Sequence, residues 1–154
     1  MSDAEQGRRR RVVVGVDGSA ESRAALRWAT EQAQLRDAEL EVVTAWELPF
    51  VGLATSYAFE PWGLPDPTEW RQRAERTLEH TVTEVFGGEP PVKLVRTVEQ
   101  GNAAQVLLTR AHAADMLVLG TRGTGGFVGL RVGSVSEHCV RHADCTVVVV
   151  RGRG

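Results

Sequence analysis

Apolar positions along the chain fall into two periodicities that take turns. Val12-Val-Val-Gly-Val16 is a short β-branched run, which predicts a strand buried on both faces. Asp17-Gly18-Ser19 ends it and can cap a helix, in which Ala25, Trp28, Ala29 and Ala33 recur at helical spacing through Leu35. Leu40 to Trp46 reads as a second strand. Thr68 is a candidate cap for a second helix, whose stripe is Trp70, Ala74, Leu78, Val82 and Val85, with Gly87-Gly88 as its stop. Val92 to Val98 reads as a third strand. Gly101-Asn102 opens a third helix with Leu107, Leu108 and Ala111 inward. Asp115 leads into a fourth strand, Met116 to Leu119. Ser134 opens a fourth helix, to about Arg141, and Thr146 to Val150 is a fifth strand.

Strands alternating with helices predict an α/β fold: one doubly wound domain, a five-stranded parallel sheet with helices on both faces. We expect a polar N-terminal tail over residues 1–10 and the domain over 11–154. Ligands of such sheets sit outside the carboxyl ends of the strands, where the strand order reverses. Two polar strand ends stand out: Asp17-Gly18-Ser19 and the segment after Leu119.

Residues 48–66 break the pattern. Leu48 to Pro67 holds four prolines and the aromatics Phe50, Tyr57, Phe59 and Trp62, which excludes a regular helix or a central strand. A loop this long in a compact domain is uncommon and often functional. It is read either as a lid packed on the sheet edge or the pocket, or as a surface for a protein partner.

Composition narrows the classes. The chain has 154 residues, 42% hydrophobic and 25% charged, with a net charge of −2, an ordinary globular balance that argues against a dedicated nucleic-acid binder. Arg8 to Arg11 abut the first strand and read as a solvated lead-in. No apolar stretch has membrane length, and the N-terminus shows no signal-peptide pattern, so the expected setting is cytoplasmic, without a membrane partner. Cys139 and Cys145 are too few for a disulfide framework.

The candidate chemistry lies in the loop Gly120-Thr-Arg-Gly123, nine residues, then Gly133-Ser134. Glycines let backbone N–H groups approach an anion, and a helix start adds unpaired donors and the positive end of the dipole. The loop is neither a Walker A motif, since the chain's only lysine is Lys93, nor G-x-G-x-x-G, since Val128 stands where the third glycine belongs. The spacing Gly120-x2-Gly123-x9-Gly133-Ser134 resembles the nucleotide motif of the universal stress protein family, in its ATP-binding branch. The stretch Val12-Val-Val-Gly-Val-Asp-Gly-Ser19 is similar to that family's first strand and turn. Ala114 to Gly123 resembles its fourth strand, and Gly133 to His138 with Arg141 to Val150 its close. The matches span residues 12 to 150, with a poorly matching middle.

The resemblance implies strand order 3-2-1-4-5 and an ATP-binding regulatory stress-response protein. It implies Gly120 beside the ribose, with Gly123, Gly133 and Ser134 around the phosphates. Asp17 would accept from ribose hydroxyls or a metal-bound water, and the backbone near Ala45 would read the adenine edge. Mg2+ or Mn2+ would be held through the phosphates, with no direct protein ligand. A homodimer through Thr146–Val150 is implied too: the strand is short, β-branched and uncharged, and as a sheet edge it would leave N–H and C=O groups unpaired.

Other readings of these residues stay open. Asp17 can be a plain cap and the glycines a tight turn. Ser134-Val-Ser-Glu137 also fits a capping box. Arg122 and Arg131 can counter phosphate charge or lie exposed. His138 and His142, four apart near Cys139 and Cys145, have possible metal spacing but no accompanying motif, so a packed cysteine and helix-end histidines are expected. No catalytic residue is assigned. The rival functions are a slow ATPase or nucleotidyl transferase, which would need a base near the phosphates, with Glu137 the one acid nearby, and a nucleotide-free interaction module using the aromatic segment.

Overall fold

A computed structural model describes residues 8–48, 66–121 and 132–152. Nine elements alternate: β1 (Arg11–Gly15), α1 (Ala20–Arg36), β2 (Glu39–Trp46), α2 (Pro67–Phe86), β3 (Leu94–Gln100), α3 (Ala103–Ala111), β4 (Met116–Gly120), α4 (Ser134–His142) and β5 (Thr146–Val150). All neighbouring strands pair in parallel, in the order β3-β2-β1-β4-β5 expected from the family resemblance. Val14 lies beside Val42 on one side and Val118 on the other, so the apolar runs form the centre of the sheet.

The two faces carry separate cores, because successive strand side chains point to opposite sides. Val12, Val14, Leu40, Val42, Met116 and Val118 pack against Ala25, Leu26, Ala29 and Ala33 of α1 and Leu78 and Val82 of α2. Val13, Val43, Leu117 and Leu119 pack against Ala104, Val106, Leu107 and Ala111 of α3 and Cys139 of α4. A strand flanked this way must be apolar at every position, which is why Val12, Val13 and Val14 are all fully buried.

Several boundaries differ from expectation, each for a local reason. The first strand ends at Gly15, although Val16 N–H still reaches the Val43 carbonyl at 2.9 Å. The third strand runs Leu94–Gln100 instead of 92–98, since Pro90-Pro91 delay its entry. Gly101 closes it at φ 146°, its N–H on the Trp46 carbonyl at 2.8 Å. The second helix is capped by Asp66, whose Oδ1 accepts from Thr68 N–H at 2.9 Å, with Pro67 as its first residue. Gly87, at φ 67°, ends it as expected. The capping box at Ser134 does not form. Gly133 takes the cap position with no side-chain bond, and Glu137 pairs with Arg141 Nη2 at 2.9 Å.

Candidate functional site

The first polar strand end is a turn built by its own side chains. Gly18 adopts φ 86°, a left-handed conformation that glycine takes without strain. Asp17 Oδ1 accepts from Ser19 N–H at 3.0 Å and Ser19 Oγ at 2.6 Å. Ser19 in turn caps α1, accepting from Ser22 N–H at 3.2 Å. Asp17 therefore orders the turn that presents it, and it stays exposed beyond β1 at the carboxyl side of the sheet.

Ala45 lies in β2 past the end of β1, whose last registered pair is Gly15 with Val43. Peptide groups alternate in direction along a strand. Val43 C=O points to the β1 side, since it takes the Val16 amide, and Trp46 C=O points to the β3 side, since it takes Gly101. The N–H and C=O of Ala45 thus point to the β1 side, beyond where β1 could pair with them. A donor and an acceptor side by side at that position suit the edge of a planar heterocycle.

The second polar end is the root of the glycine loop. Gly120 finishes β4 beside Val150, and Thr121 N–H donates to the Val150 carbonyl at 3.0 Å. Gly133 N–H donates to the Thr121 carbonyl at 2.5 Å, so the two ends of the loop are tied at the start of α4. The first intrahelical bond there runs from Glu137 N–H to the Gly133 carbonyl at 2.9 Å. The amides of Ser134, Val135 and Ser136 precede it, so they have no helical partner and form the positive end of α4. Ser134 is the first helical residue and is exposed. Gly123, Arg122 and Arg131 lie outside the described residues, as do Phe50, Tyr57, Phe59 and Trp62.

The structure thus brings Asp17, Ala45, Gly120, Gly133 and Ser134 to the carboxyl side of the sheet. It also supplies residues that sequence reasoning missed. Ser136 is buried, and its Oγ donates to the Gly120 carbonyl at 2.6 Å, fastening α4 to the end of β4. Its position three before the buried Cys139 was the available signal. Glu21, in the first turn of α1, sits against Gly120 and Gly152. Glu99, the register partner of Ala45, has a buried Oε2 without a hydrogen-bond partner.

The histidine–cysteine region does not assemble into a metal centre among the described residues. The ring centroids of His138 and His142 lie 4.4 Å apart, with the ring planes tilted by 42°. Burial pushes the Cys139 thiol up to about 11, with the Cys145 charge adding to it, so it is a packed thiol and not a nucleophile at neutral pH. His112 Nδ1 lies 2.6 Å from Asp144 Oδ2 on the exposed opposite end of the sheet. Among the described residues no helix is long and apolar enough to cross a membrane.

A family model described as the universal stress protein family matches residues 8–151. A universal stress protein of Mycobacterium tuberculosis is 31% identical over 140 residues, covering 91% of this chain and 44% of that protein. The chain thus spans less than half the length of that relative. Among solved structures, a universal stress protein from Lactobacillus plantarum superposes with a TM-score of 0.70 at 24% identity, covering 94% of this chain and 99% of that one. One from Archaeoglobus fulgidus, solved in complex with dAMP, superposes with a TM-score of 0.65 at 21% identity, covering 92% and 97%.

Proposed function

The chain belongs to the universal stress protein family, and from that premise we propose that it binds ATP across the carboxyl ends of β2, β1 and β4 as a regulatory protein. The observation that carries the reading is the start of α4. Its first-turn amides lack helical partners, it has no side-chain cap, and Gly133 N–H ties it to Thr121 at the end of β4. Such a terminus favours phosphate. The dAMP complex of the Archaeoglobus relative supports a nucleotide in this fold.

Each part of the nucleotide has a matching group. The peptide of Ala45 offers a donor and an acceptor to the adenine edge. Asp17, oriented by Ser19, would accept from ribose hydroxyls or from a metal-bound water. Gly123, Gly133 and Ser134 would surround the phosphates, with Gly120 beside the ribose. Mg2+ would be held by the phosphates, adding charge neutralisation without a direct protein ligand.

The role is binding and not turnover. Glu137, the acid nearest the loop in sequence, pairs with Arg141 and points away from general-base work. Phosphate loss slower than the ~1 s⁻¹ low end of typical enzymes is expected. A release rate above that, abolished by Glu137→Gln, would make the protein an enzyme. We further propose a cytoplasmic setting, a domain starting at residue 11, a homodimer through β5, and a protein partner at residues 48–66.

Mass spectrometry of the denatured purified protein tests the ligand directly: adenine nucleotide should co-purify. Calorimetry then tests the site. Gly123→Val should abolish ATP binding while circular dichroism stays unchanged, because a β-branched side chain blocks backbone approach to phosphate. Asp17→Ala should weaken binding by about 1.5–3 kcal/mol, the worth of one charged hydrogen bond. Undiminished affinity in folded Gly123→Val withdraws the nucleotide reading.

A further inference from the structure

One peptide group in the first polar turn is held from both ends. The Gly18 carbonyl and the Ser19 N–H belong to the same planar unit and point in opposite directions. Arg23 Nη1 donates to the Gly18 carbonyl at 2.9 Å. The Ser19 N–H donates to Asp17 Oδ1 at 3.0 Å. A single peptide thus connects the guanidinium of Arg23 to the carboxylate of Asp17.

That peptide is the unit of the turn most in need of a hold. It follows Gly18, at φ 86°, and glycine is at home on either side of zero, so sterics alone do not fix the plane. Rotating it would break the bonds to Arg23 and to Asp17 together. A cation on the carbonyl also polarises the amide and strengthens its N–H as a donor.

Arg23 is itself anchored. Its Nε lies 3.3 Å from Glu84 Oε2 on α2, and His80 Nε2 lies 3.0 Å from Glu84 Oε1. The planar fork of the guanidinium lets one side chain serve the turn and α2 at once. Thr77, two turns before Glu84 on α2, stands against the same turn, with Cγ2 3.3 Å from where a Cβ on Gly18 would be. The side chains of Arg23 and Glu84 are 29% and 42% exposed, and an ion pair this wet contributes little to stability. Its consequence lies in where it holds the turn.

We propose that Arg23 is a positioning residue of the site: by holding the Gly18 carbonyl it sets the peptide whose N–H orients Asp17 toward the ligand. This rests on the nucleotide-binding reading above, in which Asp17 meets ribose hydroxyls or a metal-bound water. Arg23 touches no part of the nucleotide and acts through Asp17.

Hydrogen exchange of the Ser19 amide, read by NMR on the ligand-free protein, tests the hold without any nucleotide. It should quicken about fivefold or more in Arg23→Ala, as the bond to Asp17 loosens. Glu84→Ala, which leaves Arg23 in place but unanchored, should move it in the same direction by less. The melting temperature of Arg23→Ala should stay within about 4 °C of wild type.

Calorimetry with ATP then tests the route. Asp17→Ala should lose about tenfold or more in affinity and Arg23→Ala about three- to tenfold. The double variant should bind within about twofold of Asp17→Ala, because Arg23 has nothing left to position. Unchanged Ser19 exchange in both Arg23→Ala and Glu84→Ala, unchanged ATP affinity in Arg23→Ala, or a double variant weaker than Asp17→Ala by the whole Arg23→Ala factor overturns the assignment while nucleotide binding stands. Asp17→Ala binding ATP as tightly as wild type removes Asp17 from the site and overturns the assignment too. Wild type that binds no ATP overturns nucleotide binding itself, and this assignment with it.

Discussion

Gly120 and Glu21 touch so closely that a side chain at Gly120 has nowhere to go. A Cβ built on Gly120 would stand 2.8 Å from Glu21 Cβ, 2.9 Å from its backbone C and 3.0 Å from its backbone O. The first turn of α1 is thus wedged against the end of β4, and Glu21 Cγ also lies 3.0 Å from where a Cβ on Gly152 would be. Gly120 is a glycine for packing reasons that hold with or without a nucleotide.

Gly120→Ala is therefore expected to destabilise the ligand-free protein by about 1–3 kcal/mol, the cost of overpacking. Glu21→Gly will not rescue it, since two of the three closest atoms belong to the Glu21 backbone. Urea denaturation of the single and double variants checks this. A wild-type midpoint in Gly120→Ala would show that α1 shifts freely away from β4.

Much of this arrangement was legible in the chain, and the failures have a common form. The apolar runs at 12–16 and 116–119 locate two inner strands because burial on both faces permits nothing else, and the valine run at 146–150 locates the edge strand β5. The strand ends at Asp17 and Gly120 follow from their turn chemistry. The Ser134–Glu137 pattern misled because a cap depends on where the preceding chain comes from: the Gly133–Thr121 bond places Gly133 at the cap position. Asp66 was signalled by Pro67 behind it, and Thr68 was the weaker choice. Glu41 was not legible. Between Leu40 and Val42 it reads as a solvent-facing strand position, and its partners Arg11, Thr97 and Arg110 are 30, 56 and 69 residues away. Only the assembled sheet reveals that it is buried. Glu99 is half-buried, and the shielding of its Oε2 too appears only in the assembled fold.

The Glu41 cluster carries an asymmetric prediction. The Glu41 side chain is 2% exposed, whereas those of Arg11 and Arg110 are 28% and 37% exposed. Removing Arg110 leaves Glu41, which cannot reach water, with only Arg11 and Thr97 as partners, and Arg110→Ala should cost up to about 3 kcal/mol, the lower end for breaking a buried pair outright. Glu41→Leu leaves two arginines that can reach water and fills the space with apolar volume, so it should cost less. Paired urea denaturation decides the order. A larger loss in Glu41→Leu than in Arg110→Ala would mean that the arginines, not the carboxylate, pay the desolvation.

Acid should reach the protein through Glu39. Lys93 Nζ lies 2.8 Å from its Oε2 and Arg9 Nη1 at 3.5 Å. The hydrogen bond from Lys93 leads the causes that hold this carboxyl below its usual range, outweighing its partial burial. A depressed folded-state value stabilises above the unfolded value and is lost as pH falls through the folded one. Lys93→Met should lower Tm at neutral pH, and the difference should shrink as pH falls below the ordinary carboxylate range and vanish once Glu39 is protonated in the folded protein. Calorimetric melting across that range reads it. A Tm difference that persists undiminished in acid assigns the Lys93 contribution to something other than Glu39.

β5 offers a test of assembly that leaves the monomer core intact. It is an outermost strand, its four valines are only partly buried, and a sheet edge leaves N–H and C=O groups ready to pair. Antiparallel pairing of two such edges would satisfy them and bury valine surface, at ~25 cal/mol per Å². The choice of substitution matters. Val148 and Val150 pack against the α1 face and Val147 against the α3 face, so a charge at any of them would damage folding as well as assembly. Val149 is in neither cluster and is the position to change. Light scattering should show a dimer for wild type at micromolar concentration and a folded monomer for Val149→Lys, with unchanged circular dichroism. A monomeric wild type would remove β5 as an interface, and a dimeric Val149→Lys would move the interface to another surface.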